Sequence, residues 1–142
     1  MAQISNASAR WEGELKSGAG TVSTGSGAVD GVPYDFGKRF EGAEGANPEE
    51  LIGAAHAGCY AMALSGDLGK AGFKPERIDV QAKVTLDFVE GKPTVTQVHL
   101  DVAARVPGAS EAAFKEAAEG AKAGCPISRL LKAEITLAAR LE

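Results

Sequence analysis

Only two cysteines, Cys59 and Cys125, and two histidines, His56 and His99, occur among the 142 residues. Two cysteines make no disulfide framework. They fill a four-ligand zinc site only if both histidines join, and His56 and His99 do not show the spacing of a zinc finger. Clustered positive charge is missing as well. The formal net charge is −4 and no basic run occurs, which argues against a nucleic-acid surface. No apolar run reaches the roughly 20 residues that a membrane span needs. The start Met1-Ala2-Gln3-Ile4-Ser5 lacks the charged-then-apolar pattern of a signal peptide. A cytoplasmic location is therefore expected, where thiols stay reduced and a structural disulfide is disfavoured.

What is present is ordinary for a folded domain: 44% hydrophobic and 24% charged residues, on a length that buries a real core. No internal repeat appears, and no linker is long or polar enough to divide the chain, so residues 1–142 are expected to form a single domain. Eighteen glycines and six prolines imply many turns. The Gly-rich stretch 18–31 has no lysine at phosphate-loop spacing, which sets nucleotide binding aside.

Hydrophobic patterning predicts an α+β fold. The first third reads as short strands over 8–15, 21–24 and 32–36, the last at a sheet edge because of Pro33. Asn47-Pro48-Glu49-Glu50 opens a long helix, with Asn as cap, Pro at the first helical position and carboxylates in the first turn. It is expected to run to about Leu68 and to stop at Gly69 or Gly72, burying a stripe of Leu51, Ile52, Ala55, Cys59, Met62 and Ala63. Clean alternation over 77–88 and 94–106 predicts a long antiparallel hairpin. A second helix begins at Ser110 and ends near Gly124, a helical turn follows at 125–131, and 133–141 closes the chain as a strand.

The thiols carry the chemistry. On the apolar face of a helix interior, Cys59 is expected to have a raised pKa, because burial disfavours the thiolate. Cys125 precedes Pro126 and reads as a helix cap, where backbone amides favour negative charge, so local sequence alone makes it the easier thiolate. Each also reads as a small buried apolar residue. Arg39, in the loop segment Gly37-Lys38-Arg39-Phe40-Glu41, can lower a thiol pKa while its planar fork pairs with a carboxylate; alone it reads as a solvated surface residue. Glu49 precedes Cys59 by nearly three helical turns, about 15 Å, and so cannot touch the thiol of its own helix. It reaches the Cys59 of a second copy if two such helices pack antiparallel across a two-fold axis, as the small residues permit. Glu49 and Glu50 also simply complement the helix dipole. His56 lies one turn before Cys59; a Cys–His pair is conceivable, but a packing histidine is the simpler reading. His99 is expected to face solvent from its strand.

Taken together, 47–59, Gly37-Lys38-Arg39-Phe40-Glu41 and Gly124-Cys125-Pro126-Ile127-Ser128 resemble the OsmC/Ohr family of osmotically inducible and organic hydroperoxide resistance proteins. The resemblance covers nearly the whole chain in order and spacing, and is closest to the OsmC branch. It implies antiparallel sheets packed on a long central helix in an intertwined homodimer. It also implies a cysteine-based peroxidase acting on organic hydroperoxides, an antioxidant of the stress response. By that resemblance Cys59 attacks the peroxide, Cys125 resolves the product as a disulfide, and Arg39 and Glu49 activate Cys59 and orient the peroxide. This reverses the local ranking of the thiols. No cofactor is implied beyond an external dithiol reductant, of lipoyl type by resemblance. The competing reading is a redox sensor or apolar-ligand binding module that uses the same cysteine pair without turnover.

Overall fold

Pairing starts near the amino terminus of the chain, whose computed structural model describes residues 1–142. Strand β1 (Ala7–Glu12) lies antiparallel to β2 (Ala19–Thr24), and β2 to β3 (Val32–Tyr34), giving a three-stranded sheet in sequence order. Gly20 is opposite Trp11 on one side and Tyr34 on the other. A Cβ there would stand 2.7 Å from the Trp11 ring and 2.8 Å from the Tyr34 ring, so only glycine lets the two aromatics meet across it. They do, with centroids 5.5 Å apart.

The segment expected as a loop around Arg39 is instead a single helical turn, α1 (Phe36–Phe40). Asp35 caps it: the Lys38 amide donates to Asp35 Oδ1 at 2.9 Å, and that bond is the main reason its carboxyl is held below the usual range. That cap lies outside the segment 37–41 expected as loop, and it is enough to start the turn. Helix α2 (Pro48–Lys70) begins as predicted, with the Glu50 amide donating to Asn47 Oδ1 at 2.8 Å. It ends before Gly72, which takes a left-handed φ of 92°.

The chain divides into two compact units, Met1–Leu51 and Ile52–Glu142. The second contains β4 (Arg77–Val89), β5 (Lys92–Arg105), α3 (Glu111–Gly124), α4 (Pro126–Leu130) and β6 (Glu134–Leu141). The β4–β5 hairpin turns on Glu90 and Gly91, both at positive φ (51° and 75°), as a two-residue hairpin loop requires. Its register shifts at Thr85/Leu86.

One strand pair departs from the antiparallel sheets expected. β6 pairs parallel to β5, with Val98 opposite Ile135 and Leu100 opposite Leu137. Helices α3 and α4 return the chain across the sheet, so its last strand runs the same way as β5 and the sheet is mixed. Alternation within a strand says which face is buried and nothing about the direction of its neighbour.

The core of this unit joins Tyr60, Leu64 and Leu68 of α2, Val98, Leu100, Val102 and Ala104 of the central strand β5, and Phe114, Ala117, Ala118 and Ala121 of α3. The predicted stripe of α2 is therefore rotated. After Glu49 in its first turn, its buried residues are Gly53, His56, Tyr60, Leu64 and Leu68, whereas Ala55 is exposed, Met62 is 79% exposed and Cys59 is half-buried. On an alanine-rich helix the small residues fit either side. The large side chains decide, because each removes far more apolar area from water.

Candidate active site

Cys125 caps α4, as its place before Pro126 predicts, and its sulfur accepts the Ser128 amide at 3.3 Å. The side chain is fully buried. Ser128 Oγ stands 3.2 Å from the Cys125 sulfur and 2.7 Å from His56 Nε2. Burial pushes the His56 imidazole below its ordinary 6.5 and keeps it neutral at pH 7. Its Nδ1 is buried without a partner. His56 is thus a packed interior residue, and its one hydrogen bond goes to the loop of the second cysteine.

Cys59 lies on the next turn of α2, half-buried, near enough to the Cys125 thiol and the Ile127 backbone to feel both. Burial is the largest influence and pushes the Cys59 thiol up; the neighbouring Cys125 pushes the same way, and the Ile127 amide pulls it down. The upward direction is the one expected from the sequence. Both thiols are free. Two cysteines far apart in sequence are therefore neighbours: α2 carries one along the core, and the β5–α3–α4 crossover delivers the other.

Arg39 and Glu49 also come together, within Met1–Leu51. Asn47 caps α2 and, through Nδ2, donates to the Lys38 carbonyl at 3.1 Å, which brings the α1 turn to the start of α2. Arg39 Nη2 then reaches Glu49 Oε1 at 2.8 Å, and Nε lies 3.1 and 3.3 Å from the two carboxylate oxygens. The fork fixes the guanidinium in two bonding directions at once. Glu49 is 6% exposed, so it is a buried partner and not only a charge at the helix dipole. The Phe40 ring lies 5.3 Å from the guanidinium carbon. Beside this pair is a cavity of about 210 Å³ lined by Trp11, Leu15, Tyr34, Phe36, Arg39 and Phe40, apolar apart from the guanidinium and the Asp35 edge.

Sequence reasoning missed Ser128 as a link, although it stands in the motif of Cys125; its partner His56 is 72 positions away, and nothing local signals the pairing. It also missed the cavity, because Trp11 and Tyr34 meet only through β pairing. His99 is half-buried rather than solvent-facing, and its Nδ1 bonds Thr136 Oγ1 at 2.6 Å across the parallel pair. No cluster of three or more His, Cys, Asp or Glu side chains is arranged to hold a metal ion.

Comparison with known proteins gives consistent matches. The family model described as OsmC-like protein matches residues 41–140. The peroxiredoxin OsmC of Escherichia coli (strain K12) is 54% identical over 129 residues, covering 91% of this chain and 90% of that protein. Among solved structures, an OsmC-like protein of unknown function from Vibrio cholerae superposes with a TM-score of 0.74 at 18% identity, covering 97% of this chain and 99% of that one. The organic hydroperoxide resistance protein OhrB of Bacillus subtilis gives 0.65 at 19% identity, covering 96% and 98%. At such identities the two structures bear on the fold alone.

Proposed function

This chain belongs to the OsmC family, and we propose that it reduces organic hydroperoxides to alcohols through Cys59 and Cys125. It is a peroxidase, an antioxidant enzyme of the stress response. The observation that carries the mechanism is the adjacency of its only two thiols, both reduced, one half-buried and one fully buried.

In the first step the Cys59 thiolate attacks the peroxide. The O–O bond breaks, the alcohol leaves with a proton, and Cys59 becomes a sulfenic acid. Cys125 then displaces hydroxide, which leaves as water, and the Cys59–Cys125 disulfide forms. An external dithiol, of lipoyl type, returns both thiols to the reduced state and is itself oxidised to a disulfide.

Burial opposes the Cys59 thiolate, so the first step needs a cation. Arg39, held in a fork by Glu49, is the group suited to supply it and to orient the peroxide. We assign these residues their role in a homodimer, in which α2 helices pack antiparallel and the pair from one copy serves the thiol of the other. The exposed Ala54, Ala55 and Gly58 of α2 support this reading, because small residues let helix backbones approach closely, and the exposed Met62 beside them offers apolar surface. The aromatic cavity beside Arg39 supports an alkyl or aryl group on the peroxide. A cytoplasmic site of action fits the need for a reducing partner, and no helix is long and apolar enough to cross a membrane.

Stopped-flow mixing of the reduced protein with an organic hydroperoxide tests the assignment. Consumption is expected to require Cys59, and turnover to continue with a lipoyl dithiol. Consumption by Cys59→Ser at the parent rate would overturn it. Stoichiometric oxidation without turnover would instead make the pair a redox sensor.

A further inference from the structure

We propose that Ser128 and His56 form a proton relay that arms Cys125 for the disulfide-forming step. The inference deepens the reading of Cys125 as the resolving thiol and depends on it. Cys125 is fully buried, so water is not at hand to take its proton as it attacks the Cys59 sulfenic acid. One hydroxyl touches both its sulfur, at 3.2 Å, and an imidazole nitrogen, at 2.7 Å. That nitrogen belongs to a fully buried histidine whose other ring nitrogen meets nothing. An interior histidine kept only for packing would be expected to satisfy both nitrogens or to be replaced by an apolar residue. Here the ring is aimed at Ser128 alone.

The two hydrogen-bond polarities of this path are its states before and after transfer. Before, the Cys125 thiol donates to Ser128 Oγ, and the Ser128 hydroxyl donates to His56 Nε2. After, Nε2–H donates to Ser128, whose hydroxyl donates to the Cys125 sulfur, which also keeps the Ser128 amide at 3.3 Å. Because burial keeps His56 neutral near pH 7, it starts the step able to accept a proton.

In the step itself the Cys125 proton passes to Ser128 and the Ser128 proton to His56. The freed sulfur lone pair attacks the sulfenic sulfur of Cys59, the S–S bond forms and the S–O bond breaks. Hydroxide leaves from half-buried Cys59, and the proton held by His56 passes back along Ser128 to complete a water molecule. Cys125 sulfur is oxidised, Cys59 sulfur is reduced, and no further oxidant is consumed. Ser128 touches the reacting sulfur; His56 acts through it and is a positioning residue.

Single-turnover oxidation with one equivalent of cumene hydroperoxide, quenched at intervals with dimedone and read by intact mass, separates Cys59 sulfenic acid from disulfide. Ser128→Ala removes the hydroxyl but keeps the backbone amide on the Cys125 sulfur. It is expected to slow disulfide formation by about tenfold or more, to do so far more than it slows sulfenic acid formation, and to abolish the solvent deuterium isotope effect on the second phase. Ser128→Thr restores both the rate and the isotope effect. Disulfide formation in Ser128→Ala at the parent rate, or with an unchanged isotope effect, overturns the relay. Cys125→Ser is the separate control. If its sulfenic acid fails to persist, the assignment of Cys125 as the resolving thiol falls with the relay; if it persists, only the Ser128 result decides.

Discussion

The two units differ most in what they bury. Ile52–Glu142 closes on Tyr60, Leu64, Leu68, Phe114 and the inner face of β5, with Cys125 fully buried and Cys59 half-buried beside it. Met1–Leu51 has no buried apolar side chain; its buried residues are Gly20 and the carboxylate-bearing Glu49. Trp11, Tyr34, Phe36 and Phe40 are only half-buried around an open cavity. The buried Cys125 is therefore held by packing, whereas Arg39 and the aromatic surface are held by a cap, a fork and a glycine contact. Three short strands without a buried apolar face are a weak scaffold alone.

The strongest way to break the contrast is Cys59→Ser. Turnover of an organic hydroperoxide with a dithiol reductant is expected to fall by about 10³-fold or more, as removal of a nucleophile does; an active variant would move the chemistry out of the core. Next is a paired stability measurement by urea unfolding. Phe114→Ala is expected to cost about 3–5 kcal/mol, and Trp11→Ala much less. Equal losses would mean that Met1–Leu51 has a core of its own.

Arg39→Lys sharpens the other side of the comparison. It keeps the charge but loses the fork with Glu49, and kcat/KM is expected to fall by about 10²-fold with little change in unfolding midpoint. Parent-level activity would make the pair purely structural. The smallest expected effect concerns His56. Its folded pKa lies below the ordinary 6.5, so on acidification the unfolded chain takes up the proton first. Stability from this group is fully present above 6.5 and is lost as pH falls through the lower folded value. His56→Gln is expected to flatten the drop in urea midpoint between neutral and mildly acidic pH; an unchanged drop would place its origin elsewhere.

Legibility from sequence followed the range of the interactions. Asn47 with Pro48, Ser110 before α3 and Cys125 with Pro126 all cap where expected, because a cap is settled within a few residues. The β4–β5 hairpin was equally plain from its alternation. The α1 turn, expected as loop, depends on the Asp35 cap just before Phe36, which the segment 37–41 does not include. The buried side of α2 was misread because alanine, glycine and cysteine are too small to bias a helix against Tyr60, Leu64 and Leu68. Met62 and Ala55 thereby changed from core residues to an exposed face.

By itself the sequence determined most of the local elements and, through its motifs, the family. Only the tertiary structure decided that Cys59 and Cys125 are neighbours, that β6 runs parallel to β5, and that Ser128 joins His56 to Cys125. The physical reason is range. Caps and alternation are governed by backbone geometry a few residues wide. Which thiol meets which, and through what, depends on how α2 and the β5–α3–α4 crossover bury their large side chains in one core.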